Sequence, residues 1–212
     1  DVFVLNGYAG TGKTSIMGAM VKAMRSANIP TVILAPTGRA AKVAASLSDD
    51  RASTIHKRIF RGNSADPSNT TFFLAENRDA NTSFIVDEAS LITDSRAFGS
   101  SLLQQLARHV YSAPGSAMIL VGDLAQLPPV GQTDSPAMNP DRLKSIGLNP
   151  ICFSLDKPAR QAADSGILYN ASIIRQFLFS NFPPEKFTLF AKDFPDVTID
   201  HSQDLADSLS DS

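Results

Sequence analysis

The sequence has 212 residues, 43% of them hydrophobic and 19% charged, with thirteen Phe and no Trp. That composition supplies a buried core and excludes a disordered or fibrous chain, and no apolar run approaches the ~20 residues a transmembrane helix needs. The net charge of −2 hides an asymmetry: residues 1–61 hold nine Lys and Arg against three acids, a balance of +6, and the remainder holds ten against eighteen, −8. A basic first third points to a polyanionic partner or, in the plainer reading, to a solvated charged face. With no basic-then-apolar leader at its start and a single cysteine, Cys152, the sequence is expected to be an intracellular, cytoplasmic chain without intramolecular disulfides.

Val2–Leu5 is a fully apolar run that predicts a buried parallel strand. It enters Gly7-Tyr8-Ala9-Gly10-Thr11-Gly12 and a helical stretch from Lys13 to about Ala27, ended by Asn28-Ile29-Pro30. Thr31–Ala35 is a second strand, and Pro36-Thr37-Gly38 turns it into a helix over about Arg39–Leu47. Phe84–Val86 and Ala117–Val121 are further strands around a helix expected over Arg96–Tyr111. Strands alternating with helices predict an α/β fold with a parallel sheet covered on both faces. Residues 61–83, polar and Gly/Pro-rich around Thr71–Leu74, read as a small insertion or hairpin. The Pro-rich stretch Leu127–Pro140 reads as a separator between an α/β domain over residues 1–150 and a later segment, 151–212, with a strand at Cys152–Leu155 and a helix at Ile167–Phe182.

Gly7 to Thr14 fits the spacing GxxxxGK[ST], placed between a predicted strand and a predicted helix. Glycines let such a loop curl until backbone N–H groups of Gly7, Tyr8, Ala9, Gly10, Thr11 and Gly12 point at phosphate oxygens, and the following helix, with Ser15 in its first turn, adds its positive end. Lys13 is positioned for the β- and γ-phosphates and the Thr14 hydroxyl for Mg²⁺, so ATP and Mg²⁺ are the implied ligands. Asp87 and Glu88 follow the apolar strand Phe84–Val86, suiting Asp87 to the metal and Glu88 to the attacking water. Asp123 and Gln126 follow the next strand and are expected near the γ-phosphate, in a loop that otherwise reads simply as Pro-stiffened.

These segments resemble, in order, the motifs of superfamily 1 DNA helicases, close to the RecD/Dda branch. Gly7–Thr14 is similar to motif I, Leu34–Ala41 to motif Ia, Thr54–Lys57 to motif Ib, Val86–Ser90 to motif II, Gly122–Gly131 to motif III and Pro158–Ala162 to motif IV. The resemblance implies a P-loop NTPase with a RecA-like sheet, ATP hydrolysis coupled to 5′-to-3′ movement on single-stranded DNA, and no membrane partner. It implies catalytic roles for Lys13, Glu88, Gln126 and Arg160, the last reaching the γ-phosphate from the opposing domain. It also implies DNA contacts through Pro36, Thr37, Gly38, Arg39, Thr54, His56 and Lys57, with Lys42 and Arg58 adding positive field. His56 is open to two readings, a contact with base or phosphate and an ordinary hydrogen-bonded surface histidine. One of Phe72 and Phe73 is a candidate strand-separating wedge, and the other, on the opposite face, a core residue. Cys152, without partners nearby in sequence, reads as a buried apolar residue.

Nothing after Arg160 resembles motifs V and VI. The expectation is therefore a first RecA-like motor domain with the incomplete beginning of a second, 151–212, a fragment unable to unwind DNA alone. A stand-alone P-loop ATPase that remodels proteins or nucleoprotein complexes is the competing reading, and a non-catalytic binding module is a third.

Overall fold

In the computed structural model, the four apolar runs picked out by the sequence become neighbours in one sheet. The structure describes residues 1–48, 52–63, 71–94, 100–156, 165–178, 188–191 and 194–198. The sheet has the order β3-β2-β6-β7-β1-β8, formed by β1 (Val2–Gly7), β2 (Thr31–Ala35), β3 (Ala52–Thr54), β6 (Ser83–Val86), β7 (Ala117–Gly122) and β8 (Pro150–Leu155), and every pairing in it is parallel.

Both faces are covered, which is why the strands read as continuous apolar runs. Val4, Leu34, Phe84, Val86 and Leu120 belong to one core with Ile55, Ile59, Leu103, Leu106 and Leu143. Leu5, Ile33, Ile85, Ile119 and Val121 belong to the other with Met17 and Val21. The first core is closed by α3 (Ile55–Ile59), α4 (Leu102–Ser112) and α5 (Pro140–Ser145), the second by α1 (Lys13–Ser26) and α2 (Gly38–Ser48). Because the strands are parallel, the turns after β1, β2, β3, β6 and β7 leave from the same edge of the sheet. Those turns hold the glycine-rich loop, Pro36–Thr37, Thr54–Lys57, Asp87–Glu88 and Asp123–Gln126.

The structure changes several expectations. The helix expected from Arg96 begins at Leu102: Ser101 caps it through a reciprocal pair with Gln104, and residues 95–99 lie outside those described. Leu127–Pro140 is no separator, since Pro136, Ala137 and Met138 form a buried 3-10 turn that leads into α5. Met138 fills the space beside Gly122, where an added Cβ would come within 2.7 Å of its Sδ. The boundary expected at 150/151 falls inside β8, whose residues pair with β1 from Val2↔Pro150 to Gly7↔Leu155. Compact units span Asp1–Arg160 and Gln161–Ser212. Cys152 is exposed, because β8 is an edge strand.

The insertion is a two-stranded antiparallel pair, β4 (Phe60–Asn63) with β5 (Thr71–Leu74), registered Phe60↔Leu74 and Arg61↔Phe73. Neither Phe72 nor Phe73 is core: the two are 50% and 53% exposed. The pair stands apart from the six-stranded sheet, so neither of its faces is lined throughout by core.

In the second unit, α6 (Gly166–Leu178) is anchored at its start by Asp196, which accepts from Ser165 Oγ and Gly166 N, both at 2.7 Å. Asn170 exchanges two 2.7 Å hydrogen bonds with the Phe190 backbone. The Gly166 position admits no side chain, since a Cβ would lie 2.5 Å from that of Phe194. No helix among the described residues is long and apolar enough to cross a membrane.

Candidate active site

The loop after β1 folds as its glycines require. Gly10 and Gly12 have φ of 79° and 88°, a left-handed conformation that other residues enter at a cost. A Cβ on Gly7 would lie 2.7 Å from Thr11 Oγ1 and 3.0 Å from Lys13 Cγ. The Tyr8 carbonyl accepts from Thr11 Oγ1 at 2.7 Å and from Thr11 N at 3.2 Å, closing the curl. Gly12 offers no side-chain cap to α1, so the first-turn N–H groups around Lys13, Thr14 and Ser15 keep their capacity for an anion. Lys13 Nζ donates to the carbonyls of Gly7 (2.6 Å) and Tyr8 (3.1 Å) and lies 3.7 Å from Asp123 Oδ2, which fixes its charge at the loop. Thr14 and Ser15 are exposed and Tyr8 is half-buried.

Two strands away, Asp87 N donates to Leu34 O at 2.9 Å as β6 ends, and Asp87 Oδ1 accepts from Glu88 N at 2.9 Å. Glu88 itself is left-handed, φ 52° and ψ 37°, a conformation that is costly for a residue with a side chain and that turns it away from the strand direction. Burial pushes the Asp87 carboxyl up, partly offset by the Glu88 N–H and Lys13. Burial and then the neighbouring Asp87 charge push Glu88 up, while Lys13 and a hydrogen bond with Gln126 pull it down. Glu88 Oε2 is buried without a hydrogen-bond partner among the described residues. A carboxylate so held is a better base than one in water, with an acceptor left over for a proton donor such as water.

Asp123 is buried and organises the third turn. Its Oδ1 accepts from Ala125 N at 2.9 Å and its carbonyl from Gln126 N at 3.3 Å. Asn6 Oδ1, at the end of β1, accepts from Leu124 N at 3.1 Å and ties this turn to the glycine-rich loop. Gln126, Glu88 and Asp87 line a cavity of about 270 Å³, whose opposite wall is Thr37, Arg39, Ala40 and Val43 of the β2–α2 turn and α2.

The expected DNA residues lie along the adjoining edge. Thr37 Oγ1 accepts from Ala40 N and Thr54 Oγ1 from Lys57 N, both at 3.2 Å, so each threonine caps the helix it starts. Ala35 pairs with Thr54, which sets the two helix starts side by side. Each hydroxyl keeps its proton for another acceptor. Pro36 is half-buried, and Gly38, Arg39, Lys42 and Lys57 are exposed. His56 is exposed and tilted against Phe60, with ring centroids 5.6 Å apart. Arg58 does not join this edge: it pairs with Asp79 and lies over the Phe84 ring, 5.9 Å from its centroid. Arg160 lies outside the described residues.

The sequence pattern of the AAA domain family matches residues 1–162, three-quarters of the chain. The chain belongs to the AAA domain family. Within that family setting, it is 32% identical over 133 residues to the ATP-dependent RecD2 DNA helicase of Deinococcus radiodurans, which is 60% of this chain and 16% of that protein. It matches the crystal structure of Pif1 helicase from Candida albicans with a TM-score of 0.50 at 18% identity, over 84% of this chain and 40% of that one. At that identity the second likeness concerns the fold: a parallel sheet with helices on both faces. The resemblance to superfamily 1 helicases of the RecD type stands on these matches.

Two features of this AAA domain escaped the sequence. Asn6 looks like an ordinary polar strand end, and only the adjacency of β1 and β7 gives its amide a partner across 118 residues. The Glu88–Gln126 bond joins two turns that are 38 positions apart, which no local spacing encodes. Among the described residues no group of three or more His, Cys, Asp or Glu could hold a metal by itself. The residues expected to hold Mg²⁺, Thr14 and Asp87, would supply one hydroxyl and one carboxylate, a donor set that suits this ion because it leaves most positions to water and substrate phosphates.

Proposed function

We propose that the chain is the ATP-binding RecA-like domain of an ATP-dependent DNA helicase motor that moves 5′ to 3′ along a single strand. The observation that carries the reading is the cavity in which Glu88 and Gln126 face Thr37 and Arg39. It joins the hydrolytic carboxylates to the edge where a strand would lie. The name and activity of RecD2 support the choice of ATP and DNA, and the basic balance of residues 1–61 supports a polyanion.

In this reading Gly7 to Gly12 and the first turn of α1 cradle the triphosphate, Lys13 leaves its loop carbonyls for phosphate oxygens, and Thr14 and Asp87 hold Mg²⁺. The metal, when bound, neutralises charge on the phosphate oxygens. Glu88 orients the attacking water and takes its proton, aided by the high proton affinity that burial gives it. Gln126 positions Glu88 through their hydrogen bond. Asp123 and Asn6 hold the Gln126 turn in register with the loop. Thr37, Thr54 and the N–H groups beside them contact phosphates without reading sequence, with Pro36, Gly38, Arg39, His56 and Lys57 around them. Arg160 belongs to a segment resembling motif IV, and its proposed place is against the γ-phosphate.

The chain spans 16% of RecD2 and 40% of the Pif1 chain. Cleft closure between two RecA-like domains is the proposed source of movement, with the second compact unit, Gln161–Ser212, taken as the beginning of the second. The 212-residue polypeptide by itself is accordingly expected to hydrolyse ATP slowly and not to unwind DNA. ATPase assays with and without an oligo(dT) strand test the reading. Slow hydrolysis that rises with the strand and disappears in Lys13→Ala supports it. Hydrolysis indifferent to the strand favours a protein-remodelling ATPase, and hydrolysis that survives Lys13→Ala rules out both.

A further inference from the structure

A second cavity, of about 550 Å³, opens on the α3–α4 side, where β4, β5 and the segment after β5 meet α4. Its walls carry Arg58, Arg61 and Arg78 against Glu76 and Asp79. Arg58 is paired with Asp79, and Arg78 Nε lies 3.3 Å from Glu76. Arg61 has no carboxylate partner among the described residues: its Nη1 donates to the carbonyls of Lys57, Phe60 and Arg58 at 3.0–3.4 Å. The cavity therefore keeps an excess positive charge. Phe73, directly opposite Arg61 across the β4–β5 pair and 53% exposed, supplies an aromatic wall.

At the back of the cavity is His109, 2% exposed. Its Nδ1 lies 2.9 Å from the Ala75 carbonyl, which puts the proton on Nδ1, and its Nε2 has no hydrogen-bond partner among the described residues. Arg58 Nε, on the same cavity, is likewise buried and unpartnered. Arg58 Nε is a spare donor and the neutral His109 Nε2 a spare acceptor, both closed off behind the arginine-lined wall of the hollow.

We propose that this cavity binds one nucleotide unit of a nucleic-acid strand, its phosphate against Arg61 and Arg78 and its base flat on Phe73. Arginine supplies charge-assisted donors for phosphate, and an aromatic face accepts any base. The site rests on the strand binding proposed above: Thr54 and Lys57 start α3 and Arg58 follows them, so a strand held there is within ~7 Å of helix length of the cavity. Phe73 then acts as a wall of a binding site and not as a wedge. The charged groups around the His109 ring are Arg58 of α3, Arg61 of β4, and Glu76, Arg78 and Asp79 after β5; Arg108, beside it on α4, lines a different cavity. Burial, with Arg58 and Arg61, lowers the proton affinity of the ring, partly offset by its hydrogen bond to the Ala75 carbonyl. A phosphate there offsets that positive field, so binding is coupled to proton uptake and is tighter at pH 6 than at pH 8.

The test follows the His109 ring resonances by NMR in the 212-residue chain, assigned by their loss in His109→Asn, during titration with (dT)6, dTMP and inorganic phosphate, while anisotropy of labelled (dT)6 reports total binding. The proposal expects saturable movement with (dT)6, tighter at pH 6, weakened in Arg61→Gln, and weakened at least about fivefold in Phe73→Ala, where loss of stacking is the cause. Preference for (dT)6 over dTMP identifies a strand as the source, and the reverse overturns that part of the assignment. Inorganic phosphate binding as tightly as (dT)6, with Phe73→Ala without effect, means an adventitious ion only and overturns the site. If anisotropy shows (dT)6 bound while the His109 resonances stay still, the site is overturned and the motor reading survives. If (dT)6 binds nowhere, both fall.

Discussion

Glu88 concentrates the cost of this site. Its backbone is left-handed, its carboxyl is half-buried beside Asp87, and one oxygen has no partner among the described residues. A carboxyl whose proton affinity is raised by folding binds more protons folded than unfolded. Its contribution to stability is therefore present below the ordinary value of 4.5, declines as pH rises through the raised value, and at neutral pH has become a penalty. Glu88→Gln removes the charge and keeps the amide contact to Gln126, so its melting temperature at pH 7 should rise by about 2–4 °C, measured by calorimetry. A fall would mean that the carboxylate is held by favourable contacts, contrary to the geometry. The candidate residues are legible where local spacing encodes them: the glycines of the loop need their positions to curl, and two acids closing an apolar strand, common by themselves, gain meaning beside that loop. Burial of single side chains was not legible. One of Phe72 and Phe73, and Cys152, read as interior residues because they are apolar, and all three are exposed because their strands lie outside the covered part of the sheet.

The elements that show in the sequence are those buried on both faces. β6, whose four residues are all buried, announces itself, whereas β3 is three half-buried residues long and has no such signature. α4 shows why helix starts are hard to read: its boundary is set by the Ser101–Gln104 capping box, two polar residues that carry no apolar periodicity. Ser101→Ala should cost about 1 kcal/mol, read as a shift in denaturation midpoint with an unchanged slope. Loss of that reciprocal pair also loosens the helix that carries His109. The proline-rich stretch looks like a separator for a related reason. Prolines mark turns but do not tell whether the turn is solvated, and here Met138 fills the space that Gly122 leaves.

Taken whole, the first unit places the turns that carry the proposed catalytic residues along one edge of a parallel sheet and an arginine-lined hollow away from it. The +6 of residues 1–61 is divided between these regions: Arg39, Lys42 and Lys57 remain exposed, whereas Arg58 is consumed by Asp79. Global stability should report the buried His109. Its proton affinity is lowered by burial and by the arginines, so between that lowered value and the ordinary 6.5 the unfolded chain binds more protons than the folded one. Stability should therefore fall as pH drops below about 6.5, and His109→Asn should flatten that slope in urea titrations at pH 5–8. The most direct test of the central claim, that Glu88 activates water on a triphosphate gripped by the Gly7–Thr14 loop, compares binding of a fluorescent ATP analogue with ATP hydrolysis in the wild type and Glu88→Gln. Binding within about twofold of the wild type with hydrolysis reduced ~10²-fold or more is the predicted result; hydrolysis retained, or binding lost together with it, would contradict the account.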